Sequence, residues 1–238
     1  LIKKIKNHNY YTYGINNESN FCIKKIKQER TFTQFDLSIK LINKKRFLVK
    51  KMQIPLLGIH NVRNAVAAIG VALTVGISIR TIKKGLLSFK GVQRRFNKIF
   101  SYNHIDYYDD YAHHPTEIKF VLDGLKNVYK DYEKICVFQP HRISRLKDLR
   151  KEFSNSFLDA DTVVLCPIFT AGEKMKLGFS YNSFAREIIK NSKVKLFLVN
   201  NNIELAKFLK HLSGKKIVIG MGAGTISNWM RKLPKLMK

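Results

Sequence analysis

Between residues 106 and 118 the chain reads Asp-Tyr-Tyr-Asp-Asp-Tyr-Ala-His-His-Pro-Thr-Glu-Ile, so Asp109, Asp110, His113, His114 and Glu117 set five acidic or imidazole groups in nine positions. A plain connection would use Gly, Asn or Ser, although loops are often charged and a polar turn is the bland alternative. A second cluster, Gln139-Pro-His-Arg-Ile-Ser-Arg145, puts Arg142 and Arg145 near the expected start of a helix, where cations are disfavoured. Arginines placed against that preference suggest an anionic ligand, and the guanidinium fork fits a carboxylate. Solvated first-turn residues are the other reading. Arg94 and Arg95 could be a solvated hinge, or could put one guanidinium against phosphate oxygens. Asn61 and Asn64, three apart before an Ala-rich run, are either a helix cap and a surface residue or two amides at a nucleotide-binding helix start. Gly220-Met-Gly-Ala-Gly224 resembles a dinucleotide fingerprint only weakly, because no downstream βαβ unit and acid accompany it. A tight turn before the last helix is the simpler expectation.

Elements must position these groups. Runs over 10–13, 21–27, 31–40 and 46–50 are β-branched, aromatic or alternating, with polar breaks at 16–17 and 43–44, which predicts hairpins or a meander. Gly58 ends the last of them, and the His60-Asn61 pair is expected to cap a helix running to about Val75. A second helix is expected over 79–87, and the stretch 89–96 reads as a linker with its turn at Gly91. From there strands (97–101, 105–109, 134–139, 162–166, 195–199, 216–220) alternate with helices (115–129, 146–157, 180–190, 203–212, 226–232). That pattern predicts an α/β fold with a mostly parallel sheet covered on both faces. Ligands gather at the carboxyl ends of such strands. The acid–histidine cluster, the 140–145 run, Phe169-Thr-Ala-Gly-Glu173 and the glycine turn all fall there.

With 238 residues and 45% hydrophobic content, one large or two small domains with real cores are expected. No apolar run reaches the ~18 residues of a membrane span, and no signal peptide is visible at the amino end. The chain starts at Leu1 rather than Met, which suggests that upstream sequence is not included. Cys22, Cys136 and Cys166 fit neither a disulfide framework nor a zinc site, so a reducing cytoplasm is expected. The net charge of +27 could serve nucleic acid. The lysines are scattered among abundant Asn and Ile, however, without an RNA- or DNA-binding signature, and drifted composition is the preferred reading.

Taken in series, Gly58-Ile-His-Asn-Val-Arg-Asn64, Gly91-Val-Gln-Arg-Arg-Phe96, Asp109-Asp-Tyr-Ala-His-His-Pro-Thr-Glu117, Phe138-Gln-Pro-His-Arg-Ile-Ser-Arg145 and Ala171-Gly-Glu173 resemble the Mur ligases over the whole chain. The resemblance implies that residues 1–92 are the end of a central ATPase domain, β-rich then helical, and 93–238 a Rossmann-like C-terminal domain. It further implies ATP-dependent ligation of L-alanine to UDP-N-acetylmuramate through an acyl phosphate, in peptidoglycan synthesis. By the same resemblance Asn61 and Asn64 would belong to the nucleotide site, with Asn64 facing the adenine. Arg95 would approach the phosphates and Asp110 the ribose hydroxyls. His113, Arg142 and Arg145 would lie where the amino-acid carboxylate meets the muramoyl group. No G-x-x-x-x-G-K-[ST] occurs, so the phosphate cradle and the Mg²⁺ ligands are expected in an upstream half. This chain alone is then expected to be inactive, and to carry no metal site. Two alternatives stand beside this: a related ligase that recycles a whole tripeptide, which the 139–145 run argues against, and a non-catalytic basic module. Ala112 stands where the family commonly has Gly.

Overall fold

The structure, a computed structural model, describes residues 10–89, 94–174 and 180–238. The chain divides into two compact units, Leu1–Lys90 and Gly91–Lys238. The expected turn at Gly91 and the expected boundary between residues 92 and 93 lie outside the described residues.

The first unit is a four-stranded sheet, β1 (Tyr13–Gly14), β2 (Phe21–Gln28), β3 (Thr33–Ile39) and β4 (Phe47–Ile54), in that spatial order, followed by helices α1 (Ile59–Thr74) and α2 (Ile79–Ser88). Strands β2, β3 and β4 form the anticipated antiparallel meander. The first strand departs from expectation: it is two residues long and pairs parallel to β2. Residues 15–20 therefore return the chain to the same end of the sheet, where Asn20 Oδ1 accepts from the Thr12 backbone N–H at 2.9 Å. The inward face of the meander (Phe21, Ile23, Phe35, Leu37, Met52, Ile54) packs on Val62, Val66, Ile69 and Ile82 of the helices. Each such large apolar side chain contributes about 1.5–3 kcal/mol on burial.

The second unit holds a six-stranded sheet built from β5 (Asn97–Tyr102), β6 (Ile105–Asp110), β7 (Glu133–Phe138), β8 (Thr162–Leu165), β9 (Lys195–Leu198) and β10 (Lys216–Met221), in the order β5-β6-β10-β7-β8-β9. Only the β5–β6 pair is antiparallel, closed by Asn103 and His104, both at positive φ; the other pairs are parallel. Alternate strand residues face opposite layers. Tyr108, Cys136, Phe138, Val163, Leu165, Ile217 and Ile219 pack against helices α3 (Pro115–Val128), α4 (Ile143–Asp148), α5 (Arg150–Ser154) and α6 (Tyr181–Ser192). Tyr107, Ile135, Val137, Val164 and Val218 pack against α7 (Asn202–Lys210) and α8 (Ile226–Leu236). This is the expected Rossmann-like arrangement, a period-two pattern clothed on both faces.

Two expectations about helices need correction. The helix expected over 146–157 is two short ones, α4 and α5, divided at Leu149, whose φ and ψ are −113° and 26°. The division leaves Arg150 where its guanidinium grips Glu187 at 2.7 and 2.8 Å, so a tertiary ion pair accompanies the lost regularity. Nor is α1 capped by His60 and Asn61: its cap is Gly58 at φ 90°. A Cβ there would approach His60 Cε1 to 2.7 Å, which together with the positive φ explains the glycine.

Candidate functional site at the carboxyl edge of the second sheet

The loops after β6, β7, β8 and β10 carry the cluster at the carboxyl edge of the second sheet. The antiparallel β5 starts at this edge, since Asn97 pairs with Asp109, so Arg94 and Arg95 enter here.

Asp109 and Asp110 are the last residues of β6 rather than a loop, and both are buried, 1% and 3% exposed. Asp110 Oδ2 accepts from the Phe96 N–H at 2.8 Å and Oδ1 from the Ala112 N–H at 2.7 Å. Burial pushes its pKa up to about 6, against the opposing pull of those two N–H groups and of Arg95. This carboxylate, expected at ribose hydroxyls, holds the backbone of the residue beside Arg95 with one oxygen and of the residue beside His113 with the other. Ala112 is fully buried and not in the left-handed region, so alanine is accommodated where glycine is usual. Asp109 Oδ2 accepts from the Ser227 hydroxyl and lies 3.9 Å from Arg231, while its buried Oδ1 has no partner.

The histidines divide. His114 caps α3, its Nδ1 accepting from the Thr116 N–H at 3.3 Å, while Glu117 Oε2 accepts from the His114 N–H at 3.2 Å; Pro115 opens the helix. His113 is not a cap. Its Nδ1 lies 2.9 Å from the Tyr111 carbonyl and 3.4 Å from Glu117 Oε2. Two acceptors around one nitrogen put the proton on Nδ1, which leaves the Nε2 lone pair open in the neutral ring.

The arginines also separate by role. Arg94 is structural: its Cζ lies 4.6 Å from the Tyr111 ring centroid and its Nη2 donates to the Gly222 carbonyl, while its backbone carbonyl accepts from the Tyr111 N–H at 2.7 Å. Arg95 follows with a guanidinium that forms no hydrogen bond or ion pair among the described residues, although it lowers the Asp110 pKa through space. Arg142 caps α4 at φ 69°, a left-handed conformation that costs a side-chain-bearing residue about 1–2 kcal/mol. It is held there by its N–H donating to the Phe169 carbonyl at 2.8 Å and by the His141–Phe169 bridge. Neither Arg142 nor Arg145 has a carboxylate within ion-pair distance among the described residues; Arg145 Nη1 meets His141 Nδ1 at 3.4 Å. Glu173 is bound elsewhere, its two oxygens accepting from the Ser144 N–H at 2.9 Å and hydroxyl at 2.6 Å. Those bonds, the hydroxyl's foremost, hold its pKa below the usual carboxylate range.

The glycine turn has no room for side chains. A Cβ on Gly224 would stand 2.6 Å from Gln139 Oε1 and 2.6 Å from Phe169 Cβ. That Gln139 oxygen accepts the Ile226 N–H at 3.0 Å and so caps α8 from another loop. Sequence reasoning brought the 140–145 run and Phe169 to this edge but gave Gln139, His141 and Phe169 no separate roles, and it did not tell Arg94 from Arg95. Only the adjacency of Arg94 to Arg95, and the burial of a glutamine before proline, could have signalled them.

On the first unit, Asn61 turns inward, 8% exposed, its Nδ2 donating to the Leu57 carbonyl at 2.8 Å. Asn64, one turn on, is exposed. Among the described residues no group of three or more His, Cys, Asp or Glu is arranged to hold a metal ion, and no helix is long and apolar enough to cross a membrane.

Known proteins echo this arrangement. The family profile for "Mur ligase, glutamate ligase domain" matches residues 94–224, and that for "Mur ligase middle domain" matches residues 1–72. The UDP-N-acetylmuramate–L-alanine ligase of Pelagibacter ubique is 64% identical over 238 residues, all of this chain and 51% of that protein. That of Rickettsia bellii is 38% identical over 99% of this chain and 50% of that protein. Among solved structures, the UDP-N-acetylmuramate–alanine ligase of Thermotoga maritima superposes with a TM-score of 0.76 at 26% identity, over 94% of this chain and 47% of that one. A murein peptide ligase from Psychrobacter arcticus shares the fold, with a TM-score of 0.64 at 24% identity over 95% of this chain and 46% of that one. The chain spans about half the length of the curated relatives it matches. With one profile covering the second unit's site loops and the other most of the first unit, the chain belongs to the Mur ligase family.

Proposed function

We propose that this chain works as part of an enzyme that uses ATP to join L-alanine to UDP-N-acetylmuramate in peptidoglycan synthesis. The observation that carries this reading is the set of arginines without carboxylate partners among the described residues, Arg95, Arg142 and Arg145, at one edge of a sheet whose neighbouring acids are otherwise engaged. Such cations suit a reaction whose substrates and intermediate are phosphates and carboxylates.

In the reaction, the lactyl carboxylate of the sugar takes the γ-phosphoryl group of ATP, giving an acyl phosphate and ADP. The alanine amine then attacks the acyl carbon, loses a proton, and phosphate leaves. On the first unit the exposed Asn64 amide is offered to the adenine, and Asn61 supports it by fixing the turn at Leu57. On the second, Arg95 is offered to the phosphates, with Asp110 holding the Phe96 backbone beside it. Arg142 and Arg145 bind the amino-acid carboxylate and the muramoyl side, each through charge-assisted bonds. His113, protonated at Nδ1 by its contacts, presents Nε2 to the incoming amine. The divalent cation of such chemistry would neutralise the phosphates, and among the described residues no group of three or more His, Cys, Asp or Glu is arranged to hold it.

The test is phosphate release by the full-length polypeptide that carries this chain, given ATP, Mg²⁺ and UDP-N-acetylmuramate. Release that depends on L-alanine supports the proposal. Release that requires a tripeptide, or none with either acceptor, removes it.

A further inference from the structure

Planar groups from four separate loops form a continuous row along the carboxyl edge. The Arg94 guanidinium lies over Tyr111 at 4.6 Å, and Tyr111 meets His113 edge-on at 5.0 Å. His113 meets His141 edge-on at 6.0 Å, and His141 stacks on Phe169 at 5.5 Å with 19° between the rings. Its far end is tied to the loop after β10 by the bond from Arg94 to the Gly222 carbonyl. Within this row His141 stands between the paired and the unpaired charges, 3.4 Å from Arg145 Nη1 through Nδ1.

A guanidinium only donates, so Nδ1 of His141 must be the acceptor and its ring must be neutral, with the proton on Nε2. The two histidines therefore hold opposite tautomers: His113 keeps its proton on Nδ1, His141 on Nε2. We propose that His141 is a positioning residue for the amino-acid site, fixing the direction of the Arg145 guanidinium by accepting its N–H. The proposal rests on the alanine-ligase reading for what Arg145 then holds. Several groups face His141: Arg142 and Arg145 from its own segment, His113 from the loop after β6, and Glu173 from the loop after β8. Burial, then the Arg145 charge, lower its pKa, with His113 and Arg142 adding and Glu173 opposing, which keeps the acceptor form present at neutral pH.

The deciding variants are His141→Leu, which removes the acceptor, and His141→Asn, whose side-chain oxygen can take the place of Nδ1. In the full-length enzyme His141→Leu should raise KM for L-alanine about tenfold, the scale of one hydrogen bond to a charged group, and leave KM for ATP within twofold. His141→Asn should return KM for L-alanine to within about threefold of the unsubstituted enzyme. Equal impairment of both variants, no change in either, or a parallel rise in KM for ATP overturns the proposal. A second readout does not depend on activity: ¹⁵N shifts of the His141 ring in the unsubstituted chain should show an unprotonated Nδ1 at pH 7. A protonated Nδ1 overturns the proposal even if alanine ligation is confirmed. An unprotonated Nδ1 upholds the tautomer even if that activity fails.

Discussion

The two ends of the second sheet are built from the same strands and the same lysine- and arginine-rich composition, yet they treat charge in opposite ways. At the amino end the charges on β7 and β10 are matched. Lys134 Nζ lies 3.1 Å from Asp161, which also accepts the Lys134 N–H at 2.7 Å, and Glu133 accepts from Lys216 and from the Thr162 hydroxyl. At the carboxyl end Asp110 and Glu173 serve backbone N–H groups and a hydroxyl, and three guanidiniums are left without a carboxylate among the described residues. Paired charge holds a framework in place. A cation that the fold fixes in position and then leaves unpaired is available to a ligand. By that measure the net charge of +27 says little, while the place of three arginines says much.

The contrast can be broken by substitution. Arg95→Ala should have the largest effect, a fall in kcat of about a hundredfold or more in the full-length enzyme, as for loss of one preorganised donor to a transition state. An unchanged kcat would mean that the unpaired guanidinium at β5 serves no phosphate. Arg142→Gly should raise KM for alanine or for the sugar substrate about tenfold or more while stabilising the chain by about 1 kcal/mol, because glycine relieves the φ of 69°. Loss of both stability and binding would show that the strained backbone is not paid for by function.

Asp110→Asn should destabilise the chain by about 1–3 kcal/mol in a denaturant titration, because an amide NH₂ must then face a backbone donor. The same pair of proteins gives the pH test. The folded pKa of about 6 lies above the ordinary 3.8 of a carboxyl, so protons bind preferentially to the folded form. The stability this group contributes is full below about 3.8 and is lost as pH rises through about 6. Between pH 7 and 4 the unsubstituted chain should therefore gain stability relative to Asp110→Asn; parallel melting curves would count against a buried, reluctant carboxylate. Smallest of all, Lys216→Met at the amino end should change stability by less than about 1 kcal/mol and leave kinetics untouched. A kinetic effect there would erase the distinction between the ends.

Much of this was legible in the sequence, for identifiable reasons. Apolar strands between amphipathic helices left few alternatives to a parallel sheet, and that topology sent four polar clusters to one edge. The roles of adjacent residues were not legible. Arg94 and Arg95 are chemically alike, and only the Gly222 carbonyl and the Tyr111 ring decide which is structural. His113 and His114 are equally alike, and their division into a half-buried ring on the Tyr111 carbonyl and a helix cap follows from where Pro115 starts α3. The burial of Asp110 was not legible either, because it depends on β6 running through that residue, one beyond the expected end of the strand. The break at Leu149 accompanies an ion pair from Arg150 to the distant Glu187, and β1 pairs parallel with nearby β2 through a return at 15–20, neither of which the local pattern records.

The last strand in sequence, β10, occupies the middle of the sheet, between β6 and β7. During synthesis, until residues 216–221 leave the ribosome, those two strands have open hydrogen-bonding edges, and the Cys136–Phe138 and Tyr107–Tyr108 segments lack their central neighbour. Completion of this sheet is thereby deferred until β10 has been made. A nascent chain stalled before residue 216 would present two apolar edges at once, the kind of surface that chaperones bind and that drives aggregation.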